Sequence, residues 1–185
     1  MKEKERNENT HGLISLKDNI HTVLYGSNID KEKLRGQFFY FAETPEFMKK
    51  LGLAGDFFSI RYGVISRHLG KDRDHNLSEQ NWLDLCSVIT DPFVISCNNN
   101  TFKLFTNVLI NDKNIVVCVN IKNMKKNLFI NAISTVFGYR KRPISGKILY
   151  KSKKIIFEQT ALLEGSNTLS LPSVQRLNTE HSVQL

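Results

Sequence analysis

A chain of 185 residues with 41% hydrophobic and 10% aromatic residues carries enough apolar material for one domain with a core, which excludes a disordered polymer. Its formal net charge of +8 directs attention to polyanionic partners. No apolar run is long enough to span a bilayer, and Met1–Arg6 lacks the apolar core of a signal peptide. The expectation is a cytoplasmic protein without a membrane partner, or one delivered by a phage or by a secretion route that needs no such signal.

In chain order, residues 1–36 read as a partly ordered N-terminal arm. They open with a charged segment, and the loose apolar spacing from Leu13 to Leu24 fits either a short helix or two extended pieces. Gln37 to Ala42, QFFYFA, reads as a strand and begins a domain over 37–157. Thr44-Pro45-Glu46 predicts a helix start, with Thr44 as N-cap and Pro45 at the first helical position, and Gly52 stops that helix. Phe57 to Ile60 is extended or begins the next helix, which the spacing of Val64, Ile65 and Leu69 predicts over 61–69. After the polar connection Lys71–Asn76, Ser78 caps a further helix with Trp82, Leu85, Cys86 and Ile89 on one face, ended by Asp91-Pro92.

Beyond Pro92 the period becomes that of strands: Phe93–Cys97, Phe102–Leu109, Ile115–Ile121, Phe129–Phe137 and Ile148–Tyr150. The turns between them are rich in asparagine. This pattern predicts an α+β fold, with N-terminal helices packed on one face of a four- or five-stranded antiparallel sheet. Residues 158–185 are polar and read as a tail.

Cys86, Cys97 and Cys118 are widely spaced among apolar neighbours, with no CxxC pair and no histidine at ligand distance, so no metal and no cofactor is expected. The charge distribution says more. Between Asp112 and Glu158 there is no acidic residue, while Lys113, Lys122, Lys125, Lys126, Arg140, Lys141, Arg142, Lys147, Lys151, Lys153 and Lys154 all fall inside that interval. Such a one-sign stretch reads as a nucleic-acid groove, or as a solvated basic face.

Within it, Asn123–Arg142 resembles the floor of a phosphate site. Strand parity places Asn131 and Thr135 on one face and Ser134 on the other, and Tyr139, Arg140, Lys141 and Arg142 follow directly. Cleaving RNA requires a base for the ribose 2′-OH, an acid for the leaving 5′-oxygen and cations for the phosphate. His68 and His75 can exchange protons near neutral pH. His68 fits a structural histidine equally well, and His75 fits a surface residue. Arg140 suits bidentate phosphate contact.

YFAETPEFMKKLGL, then HNLSEQNWLDLCSVITDPFVI, then INAISTVFGYRK, follow in order. They resemble the motifs of the C-terminal nuclease-like domains of phage MuF-type proteins and of the related phage barnase–EndoU–colicin–RelE-like family. The resemblance spans about Tyr40 to Lys154. It matches His75 to the family histidine, with Asn76 where glycine is usual. It matches Asn131 and Thr135 to the strand asparagine and serine, and Phe137 to a position where tyrosine is usual. It implies a metal-independent endoribonuclease; with His68 added from the reading of the residues themselves, the catalytic candidates are His75, His68, Thr135 and Arg140. Asn131, Lys125, Lys126, Tyr139, Lys141 and Arg142 are the substrate-binding candidates. The implied partners are RNA, tRNA among the candidates, and an immunity or antitoxin protein. Phe137 lacks the hydroxyl of the usual tyrosine, so an inactive nucleic-acid-binding module, or a phage structural domain of the same fold, is the alternative.

Overall fold

The computed structural model describes residues 12–67, 76–124, 128–139 and 143–152. The described chain runs β1 (Ile14–Ser15), α1 (Leu16–Tyr25), α2 (Asn28–Leu34), β2 (Phe38–Glu43), α3 (Glu46–Lys50), β3 (Phe57–Arg61), α4 (Tyr62–Ser66) and α5 (Glu79–Val88). It continues as β4 (Val94–Asn98), β5 (Thr101–Ile110), β6 (Lys113–Met124), β7 (Leu128–Gly138) and β8 (Lys147–Lys151). The fold is α+β, but the sheet is larger than four or five strands and is mixed. Its eight strands lie in the order β1-β2-β3-β7-β6-β5-β4-β8, with β1/β2 and β3/β7 parallel and the other neighbours antiparallel.

The extra strands come from segments preceding the asparagine-rich meander. Phe57–Ile60 has no alternation because both of its faces are buried, as expected of a strand inserted between two neighbours. It separates β2 from β7 and joins the early chain to the late chain.

The five late strands form where the alternation and the turns predict them. Asn99 and Asn100 (φ 47° and 62°) join β4 to β5, while Asn111 and Asp112 (φ 47° and 59°) join β5 to β6. Both are two-residue loops with left-handed backbone at each position, the conformation that matches the twist of a hairpin and that Asn and Asp tolerate best.

Leu16, Ile20, Val23 and Leu24 of α1, Val64 and Ile65 of α4, and Trp82, Leu85 and Ile89 of the α5 region share one apolar core. Phe39, Phe58, Ile60, Leu104, Val117, Val119, Ile133 and Val136 of the sheet complete it. Residues 16–25 are therefore built into the core, with Ser15 capping α1 through Oγ. The loose apolar spacing there reflects both alternatives at once, a two-residue strand followed by a helix. The helix α2 was not expected. Its signals are Ser27, whose Oγ accepts from the Asp30 N–H at 3.2 Å, and lysines in its last turn. A capping box closes α5, in which Ser78 and Asn81 exchange hydrogen bonds.

The opposite sheet face carries two smaller clusters. One holds Phe93, Val94, Phe105, Val116 and Ile144, and the other holds Phe57, Ile130 and Ala132. Among the described residues no helix is long and apolar enough to cross a membrane.

Thr44 is not the α3 cap. Pro45 occupies that position without a side-chain cap bond, and the Thr44 hydroxyl turns inward to accept from Asn131 Nδ2 at 2.7 Å. A fully buried amide, which cannot turn to water, competes better for the hydroxyl than a helix end whose N–H groups face water.

Candidate nucleic-acid interface

Strand β7 crosses the middle of the sheet, and its residues divide between two faces. Ile130 and Ala132 belong to the outer cluster, whereas Ile133 and Val136 belong to the helix-covered core. The change of parity between them comes from a bulge. On β6, Cys118 pairs with Thr135 and Val119 with Ile133, so Ser134 is the inserted residue, its Oγ donating to the Cys118 carbonyl at 3.2 Å. Counting in twos therefore fails across Ser134. Thr135 shares the outer face with Phe137, and Asn131 faces the core side with Ile133.

Asn131 is fully buried. Its Nδ2 donates to Thr44 Oγ1 at 2.7 Å, to the Gly55 carbonyl at 3.0 Å and to the Leu53 carbonyl at 3.4 Å, and its Oδ1 accepts from the Gly55 N–H at 3.2 Å. This amide fastens the β2–β3 connection onto the sheet and presents nothing to a phosphate. The expected substrate contact is thus replaced by a structural one. Gly55 permits it, since a Cβ there would fall 2.4 Å from the Asn131 nitrogen and 2.5 Å from the Ile130 carbonyl carbon. Gly55→Ala is expected to cost roughly 2–3 kcal/mol by forcing these backbones apart. It should appear as a lower urea midpoint at unchanged m-value.

Thr135 is half-buried, and strand register sets it in a row with Cys118 of β6, Lys103 of β5 and Ser96 of β4. Lys103 Nζ donates to Ser145 Oγ at 2.7 Å and opposes the burial that raises the Cys118 thiol pKa. Sequence reading missed Lys103, because a single lysine in an apolar run gives no signal until register places it in the same cross-strand row as Thr135, with Cys118 between them.

Tyr139 packs edge-on against Phe105 at 5.0 Å between centroids, and its hydroxyl donates to the Pro143 carbonyl at 3.1 Å. It therefore holds the two ends of the 139–143 connection together. Phe137 packs against the outer cluster.

His68, His75, Arg140, Lys141, Arg142, Lys125 and Lys126 lie outside the described residues. The strands do fix where the chain enters and leaves these segments. β3 and β7 are parallel neighbours, so the end of β3, leading through α4 toward residues 68–75, and the end of β7, leading toward 140–142, belong to the same end of the sheet. The 125–127 connection starts at the opposite end of β7. Eleven residues separate the two ends, about 35 Å of extended chain. Asn123–Arg142 is accordingly two ends of a surface, and no single phosphate reaches both.

Of the eight strands, β2 alone contains a carboxylate, Glu43, and the six adjoining strands from β3 to β8 contain none. Those six carry Arg61, Lys103, Lys113, Lys122, Lys147 and Lys151. Among the described residues no three His, Cys, Asp or Glu side chains are grouped as metal ligands.

The chain matches no protein-family model, no curated protein and no solved structure. Its chemistry is therefore read from its own residues.

Burial pushes the Cys86 thiol up to about 12 from 9.0, and raises Cys118 in the same direction. Folded protein should leave both unalkylated by iodoacetamide at pH 8, with full labelling only after denaturation. Because the folded thiols hold their protons longer than the unfolded ones, their contribution to stability is complete below about pH 9. It is lost as pH rises toward 12. A denaturation series over that range checks the direction.

Proposed function

We propose that the protein acts on RNA as a metal-independent endoribonuclease of the phage barnase–EndoU–colicin–RelE-like kind. The observation that carries this reading is the run of six adjoining strands that contain cations and hydroxyls and no carboxylate. On such a surface, neutralised phosphates supply affinity through released counterions.

The chemistry is assigned to His75 and His68. One imidazole takes the proton from a ribose 2′-OH, and that oxygen attacks the adjacent phosphorus. The bond to the 5′-oxygen breaks, the second imidazole protonates the leaving oxygen, and a 2′,3′-cyclic phosphate remains. Arg140, with Lys141 and Arg142, stabilises the charge on the pentavalent phosphate, usually the largest single contribution to such a step. Thr135 supplies a hydroxyl from the outer row that also holds Lys103, two strands away. Lys122, Lys125 and Lys126 hold the strand further along, and tRNA is a candidate substrate. An immunity protein of phage origin would oppose this surface with carboxylates of its own.

A second reading, an RNA-binding module without the chemistry, is favoured by one specific feature. Asn131 is buried and Phe137 has no hydroxyl, so two strand positions that the resemblance makes polar offer nothing to a substrate. One experiment separates the readings: purified protein with labelled tRNA and mRNA in EDTA. Fragments ending in 2′,3′-cyclic phosphate support the nuclease. Salt-dependent binding to intact RNA assigns the second reading, and absence of both removes RNA as the partner.

A further inference from the structure

A cleft of about 460 Å³ opens between α2, the end of β3 and α4, within the size range of small-ligand sites of roughly 300–1,000 Å³. Lys31, Arg35 and Arg61 line it, against one carboxylate, Glu32. Arg35 pairs with Glu32 at 3.0 Å, but both side chains are largely exposed and three residues apart on one helix, so the pair is weak and easily exchanged for a ligand. Among the described residues, neither Lys31 nor Arg61 forms an ion pair.

Arg61 is braced. Its guanidinium carbon lies over the Phe38 ring, 5.1 Å from the centroid, a cation–π contact that uses none of its N–H donors as a hydrogen bond. The walls are open where two glycines occur. Nothing lies within 4 Å of the point where a Cβ would stand at Gly36 (φ +80°) or at Gly63. The Tyr62 N–H donates to the Gln37 carbonyl at 3.0 Å, which fixes α4 against the α2–β2 turn and sets the width of the cleft. Tyr62, half-buried on the wall and packed in part against the core, leaves its exposed part to contact a base or ribose.

Three cations gathered at one cleft exceed what a single phosphodiester, with one negative charge, requires. They suit a phosphomonoester, which carries about −1.5 to −2 near neutral pH. We propose that this cleft binds the phosphomonoester group of a nucleotide, with Arg61, Lys31 and Arg35 on the phosphate and Tyr62 against the nucleoside. The group is either a free mononucleotide or the phosphorylated end of an RNA strand. Only the second source rests on the RNA reading above.

The test uses the full chain labelled with 15N and titrated with uridine 5′-monophosphate, with uridine as control. A short RNA bearing a 5′-phosphate is compared in parallel with its 5′-hydroxyl form by fluorescence polarisation. The Gly36 and Gly63 amide signals are expected to move with the monophosphate and not with uridine. Arg35→Gln and Lys31→Gln, both on the exposed surface of α2, should each weaken that response by at least about tenfold, the size of one lost charge-assisted contact. Arg61→Gln should do the same, with a melting curve to confirm that it folds.

A tenfold or greater preference for the 5′-phosphorylated RNA, lost in the variants, assigns the strand end. A monophosphate response without that preference assigns the free nucleotide, and stands even where RNA does not bind at all. No response to the monophosphate together with equal affinity for the two RNAs overturns the proposal and leaves the basic-sheet reading untouched. An equal response to uridine, or a response intact in Arg35→Gln and Lys31→Gln, also overturns it.

Discussion

Asn131→Ala should lower stability by about 3–5 kcal/mol, although the residue makes no contact with solvent or substrate. The Ala side chain removes one acceptor and two donors from the middle of the fold. The Gly55 N–H, the Gly55 and Leu53 carbonyls and the Thr44 hydroxyl all lose a partner while remaining packed against the sheet. Each buried polar group left without a partner costs about 1–3 kcal/mol, reduced where neighbours relax or water enters. For a chain of this size the melting temperature should fall by roughly 10 °C. The companion variant Asn131→Asp keeps the shape but turns the donor into an acceptor facing two carbonyls and a hydroxyl. Burial and those acceptors disfavour the ionised carboxyl, so its folded pKa lies above the unfolded value. The variant is then most stable below the unfolded pKa and weakens as pH rises through the folded one. Measured well below their melting points, both variants should bind RNA as the wild type does. A variant of unaltered stability that has lost RNA affinity would return Asn131 to the substrate site.

The same residue shows where sequence reading ends. The late strands were legible because alternation, Asn99-Asn100 and Asn111-Asp112 are local signals that agree with one another. The α5 cap was legible for the same reason. Asn131 was visible as a polar residue in an apolar strand, but its partners lie 76 to 87 positions away, and only tertiary structure brings them together. The face of Thr135 was misjudged because the bulge at Ser134 is set by pairing with β6, and a count along β7 alone carries no trace of it. Thr44 matched the signature of a cap, yet the buried amide claimed its hydroxyl. The parallel union of β3 with β7 was hidden because a strand buried on both faces has no alternation to display. The cleft at Arg61 was hidden for a related reason: α2, the end of β3 and α4 line it together, and no local signal in any one of them shows that they meet.

Substituting His75 by Ala should reduce RNA cleavage in EDTA by about 10²–10⁴-fold, the range that a positioned proton-transfer group contributes. Wild-type cleavage should follow a bell-shaped pH profile, one limb from the base and one from the acid. Loss of either histidine removes one limb, so His75→Ala and His68→Ala should leave opposite halves of the bell. Arg140→Ala acts differently: with the proton-transfer pair intact, it should lower the rate by about 10²–10³-fold at every pH without moving a limb. Lys122→Ala, on the exposed strand surface, should instead leave the rate at saturating RNA unchanged. It should reduce the slope of log affinity against log salt by about 0.7, the share of one phosphate on a single strand. Cleavage unaltered in both histidine variants, with the salt slope still present, would leave the basic sheet as a surface that holds RNA and does not cut it.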